Sequence, residues 1–138
     1  MKFYAVIDTN VLVSALLRNG SVPSLVLAET LNGDIIPILN DEILAEYTDV
    51  LNRPKFSFNK AAVQVLLNEL AKRCVYSDYN DIFEEIPDPK DVVFYAVLME
   101  KRKEDDAYLV TGNIKHFPMR TYIVTPREML DILEDSRK

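Results

Sequence analysis

The chain has 138 residues and a mass of 15.8 kDa, the size of one domain, and 49% of its residues are hydrophobic, so a core of ordinary size forms and disorder is excluded. The formal charge of −6 argues against a sequence-independent nucleic-acid binder, unless metal ions and a local basic rim offset the acid. A lone cysteine excludes an internal disulfide and a cysteine zinc cluster, the three glycines, Gly20, Gly33 and Gly112, stand too far apart for GxGxxG or a P-loop, and no apolar run approaches the ~18 residues of a membrane span.

Taken in chain order, the pattern alternates strand and helix. Phe3 to Ile7 reads as a buried strand and Val11 to Leu17 as an apolar helix. A second helix runs from Pro23, suited to a first turn, to Leu31, and a strand covers Ile35 to Leu39. Glu42 to Asn52 is helical and is stopped by Pro54. The stretch NKAAVQVLLNELAKRC is the clearest helix, with Asn59 as its N-cap and Cys74 as a buried, inert thiol. A short strand covers Val75-Tyr76, and residues 78–90 are acidic, proline-punctuated loop. Val92 to Arg102 is apolar on nearly every face and is expected at the centre. Ala107 to Thr111 and Tyr122 to Val124 read as strands, and Pro126 to Leu133 as a closing helix. This alternation predicts an α/β fold over residues 1–138, with a mostly parallel sheet and helices on both faces. The N-terminus MKFYAVIDTN has one lysine and no small-residue cleavage site, so no signal peptide is expected and the cytoplasm is the expected compartment.

Ligands of parallel sheets sit beyond the carboxyl ends of the strands. Asp8 stands at that end of the first strand, and Asn113 follows AYLVTG in the same relation. Asp8 is open to two readings, a helix N-cap or a ligand. Glu46 borders the face formed by Ile43, Leu44, Tyr47, Val50 and Leu51, so it is either a boundary glutamate or a carboxylate aimed into a cleft. Asp91 falls in the first turn of the helix after Asp88-Pro89, where an acid complements the helix dipole. It also shares a face with Tyr95 and Leu98 and so points at protein. Carboxylates converging from separate segments repel, and a divalent ion offsets that repulsion. Oxygen-only ligands favour magnesium or manganese over zinc and suit phosphodiester hydrolysis.

Four stretches in order, VIDTNVLVSAL, ILAEYTDVLNRPKF, DPKDVVFYAVLM and AYLVTGNIKHF, resemble the PIN-domain ribonucleases, most of all the toxin components of bacterial and archaeal toxin–antitoxin pairs. The resemblance implies a three-layer α/β/α sandwich and metal-dependent cleavage of single-stranded RNA. It also implies a homodimer and inhibition by a small antitoxin. Carried over, Asp8, Glu46 and Asp91 match the acidic positions that hold Mg2+ or Mn2+. Thr9 and Asn10 match the polar pair after the first aspartate, with Asn10 supporting the site. Ser14 either faces the cleft or packs between helices, and Thr111 matches the Thr or Ser before the last acidic position. There the chain departs from the family: TGN replaces TGD, so Asn113 assists without charge and one tightly held ion is expected. Lys115, His116 and Arg120 are candidates for holding RNA, and for His116 a surface or packing role is favoured over catalysis.

Two rival classes stand beside the ribonuclease. One is a catalytically weak RNA- or partner-binding module, favoured by Asn113 and the acidic charge. The other is a phosphatase with Asp8 as nucleophile, which lacks the usual second aspartate because Asn10 occupies its place. No obvious covalent nucleophile is present, so direct attack by water is expected.

Overall fold

The computed structural model describes residues 2–138. Five parallel strands form one sheet: β1 (Phe3–Ile7), β2 (Ile35–Leu39), β3 (Val75–Tyr76), β4 (Ala107–Val110) and β5 (Ile123–Val124), in the order β3-β2-β1-β4-β5. Six helices flank it: α1 (Thr9–Leu17), α2 (Val22–Leu31), α3 (Asp41–Leu51), α4 (Lys60–Arg73), α5 (Pro89–Lys101) and α6 (Pro126–Ser136). The result is a three-layer α/β/α sandwich. Consecutive buried residues such as Ala5, Val6 and Ile7 in β1 reflect a strand covered on both faces, as parallel sheets require. β1 lies at the centre, with Ile7 in register with Val110 of β4 and Ala5 with Pro37 of β2.

The chain leaves β1 toward β2 and β3, then returns to the far side of β1 to form β4 and β5. The order therefore reverses between β1 and β4, and adjacent carboxyl ends at such a reversal open a crevice. Asp8 and Thr111 are the first residues beyond those two strands. Asparagine caps hold two of the helices against the sheet. Asn40 Oδ1 accepts from the Ile43 N–H at 2.8 Å, and Asn59 Oδ1 accepts from the Ala62 N–H at 2.9 Å.

Several boundaries differ from expectation. α1 begins at Thr9 rather than Val11, because its polar first turn carries no apolar periodicity, while α5 begins at Pro89 after the Asp88 cap, with Asp91 in its first turn as expected and three residues ahead of the apolar run from Val92. α6 continues to Ser136, past the last buried residue, Leu133. Two 3₁₀ turns, Pro54–Phe56 and Ile114–His116, are too short to show a period. Cys74 is half-buried rather than buried, and burial pushes its thiol pKa up. Among the described residues no single helix is long and apolar enough to cross a membrane.

Candidate active site

Asp8 occupies the N-cap position of α1 with extended backbone, yet its side chain makes no capping hydrogen bond. Its carboxylate faces the crevice instead. Thr111 Oγ1 donates to Asp8 Oδ2 at 2.8 Å, and Asn10 Nδ2 donates to the same oxygen at 3.2 Å. Asn10 Oδ1 in turn accepts from the Gly112 N–H at 3.2 Å, and Thr111 Oγ1 accepts from the Asn113 N–H at 3.0 Å. The ends of β1 and β4 are thus stitched together through Asp8, Asn10, Thr111 and Gly112. Asp8 is only 7% exposed, and burial raises its pKa above the ordinary carboxylate value. The negative charge of Glu46 adds to that rise, while the Thr111 hydrogen bond and the nearby Asn10 and Thr9 amides oppose it.

Glu46 reaches the crevice from α3, whose Ile43, Tyr47, Val50 and Leu51 are buried. Thr9 Oγ1 donates to Glu46 Oε2 at 3.2 Å. The same helix is fastened to β1 by the Tyr47 hydroxyl, which donates to the Ile7 carbonyl one residue before Asp8. Asp8, Thr9, Asn10, Ser14 and Glu46 share the walls of an open cleft of about 300 Å³ with apolar Val13, Val50 and Phe56. A larger cavity of about 790 Å³ between α2 and α6 shares no residue with this cleft, so chemistry rather than size singles out the site.

Asp91 approaches Asp8 from α5. The cap of that helix is Asp88, whose Oδ1 accepts from the Lys90 N–H at 3.0 Å, with Pro89 in the first turn. Asp91 Oδ2 is buried and has no hydrogen-bond partner. His116 Nδ1 lies 3.5 Å away, which is longer than a well-formed hydrogen bond. The Asp91 pKa is pushed up to about 6, first by burial and then by the charges of Asp8 and Asp88, with His116 pulling the other way.

The remaining sequence candidates divide. Ser14 lines the cleft, Thr111 is wholly buried against Asp8, and His116 sits beside Asp91. The Asn113 side chain is exposed and makes no hydrogen bond among the described residues; only its backbone joins the network. Lys115 and Arg120 are exposed and line a separate pocket rather than the cleft. Two contributors escaped the sequence reading. Tyr47 was visible only as one member of an apolar face, and a tyrosine rather than phenylalanine there was its sole signal. Gly112 approaches Asn10 closely, since a Cβ would lie 3.4 Å from Asn10 Oδ1; nothing local in the sequence marks that contact.

Whether these residues suit a metal ion is decided by donor chemistry. Mutually repelling carboxylates, Asp8 buried and Glu46 and Asp91 half-buried, offer oxygen-only donors that suit a hard divalent cation. The Asp91 oxygen adds to this, because a buried carboxylate oxygen without a partner is costly unless something positive meets it. Among the described residues no group of three or more His, Cys, Asp or Glu side chains stands close enough together to hold a metal ion. A small hard cation does not require one, since such ions are commonly held by one or two carboxylates and keep several waters. The residues fit a partly hydrated divalent ion and do not fit an all-protein zinc cage.

Comparison with protein-family models matches residues 4–115 to the PIN domain, spanning the elements from β1 through β4 and all of the Asp8 network. Comparison with curated proteins and with solved structures gives no match. The chain belongs to the PIN domain family, whose members are generally nucleases and generally use divalent metal ions.

Proposed function

We propose that the chain is a magnesium- or manganese-dependent endoribonuclease that hydrolyses single-stranded RNA by attack of water on a phosphodiester. The observation that carries this reading is the pairing of Asp8 and Glu46 in one cleft at the end of β1. Glu46 shares a cleft with Asp8, and the partnerless Asp91 oxygen lies within electrostatic reach. Asp8, Glu46 and Asp91 would hold the ion. When bound, a divalent cation supplies a lowered pKa for an attacking water and neutralises charge developing on the phosphate. The protein's part is positioning. Thr111 and Asn10 fix one oxygen of Asp8, and Thr9 fixes one oxygen of Glu46, leaving their second oxygens for a ligand. Lys115 and Arg120 supply positive charge along the exposed strip after β4, His116 adds an imidazole, and Asn113 offers a neutral amide at its start. Ser14 on the cleft wall has no histidine beside it, which supports direct attack by water over a covalent intermediate.

The same reading makes the chain the toxin of a toxin–antitoxin pair, acting in the cytoplasm as a homodimer restrained by a small antitoxin. Exposed Leu16, Leu17 and Leu25 on α1 and α2, and Val65 on α4, support apolar contact with a second copy or a small partner. A second reading, an RNA- or partner-binding module without catalysis, is favoured by the neutral, exposed Asn113. Cleavage of a labelled single-stranded RNA separates the two. The ribonuclease cuts with Mg2+ or Mn2+, stops with chelator, and loses at least ~100-fold in rate as Asp8→Asn. RNA binding without cleavage supports the second reading, and cleavage indifferent to chelator and to Asp8→Asn rejects the metal site.

A further inference from the structure

We propose that a nucleobase of single-stranded RNA docks in the apolar pocket beside β5, an inference that rests on the nuclease reading and extends it to substrate contact. The pocket, about 330 Å³, is lined by Ile114, Phe117, Pro118, Met119 and Ile123, with Lys115 and Arg120 on its walls. Phe117 is 6% exposed and stacks on Tyr95, with ring centroids 6.4 Å apart and planes at 22°. Tyr95 lies one helical turn, about 6 Å, along α5 from Asp91. The 3₁₀ turn Ile114–His116 makes the same link on the outside. Ile114 and Lys115 line the pocket, while the next residue, His116, stands 3.5 Å from Asp91. Pocket and carboxylates are therefore close enough for neighbouring nucleotides of one strand to reach both.

The chemistry of the walls selects the occupant. Met119 is 94% exposed and Ile114 43% exposed, which leaves apolar surface in water at the pocket mouth. Neither Lys115 nor Arg120 forms an ion pair among the described residues; the Arg120 guanidinium only donates to the Met119 carbonyl, at 2.8 Å. Lys115 and Arg120, the latter also within electrostatic reach of Glu84, set positive charge beside an apolar slot and suit a ring flanked by phosphates, the usual pairing of stacking surface and charge for single strands. A second copy of this chain, at −6, complements those cations less well than a polyanion does. Ile114 and Lys115 fall within the residues matched to the family, and Phe117, Pro118, Met119, Arg120 and Ile123 lie beyond them.

The test measures binding, not turnover, in an Asp8→Asn background that leaves the RNA intact. Fluorescence anisotropy compares a labelled single-stranded RNA with a strand of equal length that has the sugar-phosphate backbone and no bases. Adding Ile114→Ser and Met119→Ser, both at exposed positions, weakens binding of the intact RNA on the order of tenfold and leaves the base-free strand unchanged. Equal loss for both strands, or loss for neither, overturns the inference. So does a wild-type dimer in sedimentation that dissociates in the double variant without base-dependent RNA binding, because the pocket then serves a second copy. Absence of cleavage by the wild type with Mg2+ or Mn2+, together with base-dependent binding, rejects the nuclease reading and leaves the pocket standing.

Discussion

At the scale of single residues, the site stores an electrostatic conflict. Asp8 and Asp91 are shielded from water and repel each other, and their pKa values rise together. The sign for Asp91 follows from linkage. Its folded pKa of about 6 exceeds the ordinary 3.8, so the folded state holds the proton more tightly. The resulting stabilisation is full below about pH 4 and is lost as pH rises through about 6. In the metal-free protein, Asp91→Asn is expected to raise stability at neutral pH by about 1–2 kcal/mol once partial solvent screening is allowed for, a gain that vanishes in acid. Thermal melts across that pH range check it, and a variant no more stable than wild type at neutral pH contradicts it. By position alone Asp8, Glu46 and Asp91 each had a structural alternative in the sequence, and the family resemblance brought them together as a set. What was not legible was the choice between capping and crevice for Asp8. That choice is made by Thr111, which is 103 positions away in the chain and adjacent only through the β1–β4 register.

At the scale of elements, the site depends on how α3 and α5 meet the end of β1. α3 packs four buried residues inward, and its Tyr47 hydroxyl fastens it to the Ile7 carbonyl. Tyr47→Phe keeps the ring and removes that bond, leaving a buried carbonyl short of a partner. The expected cost is about 1–2 kcal/mol, seen as a melting temperature lower by several degrees. An unchanged melting temperature means that the hydroxyl does not anchor α3. The elements themselves were legible because apolar runs of strand length alternate with helical spacing, and because asparagine and proline mark several starts. The 3₁₀ turn Ile114–His116 was not, since three residues carry no period. Yet this turn divides its side chains between the apolar pocket and Asp91, a placement fixed by Phe117 packing on Tyr95.

At the scale of the whole molecule, a chain of −6 that handles RNA must confine its attraction to a small basic strip. With Lys115, His116 and Arg120 as the contacts, about three phosphates are neutralised at most. The slope of log affinity against log salt is then expected near −2, as each contact to a single strand contributes about −0.7. Binding measured over a range of salt concentrations checks this, and a much steeper slope points to a basic surface elsewhere. The acid charge carries the opposite consequence for cations, which it draws toward the crevice. The central claim is that Asp8, Glu46 and Asp91 jointly hold one divalent ion. Calorimetric titration of Mn2+ into wild type, Asp8→Asn, Glu46→Gln and Asp91→Asn at neutral pH tests it most directly. The account predicts one site in the wild type, weakened roughly tenfold or more in each folded variant; equal Mn2+ affinity in all four proteins would contradict it.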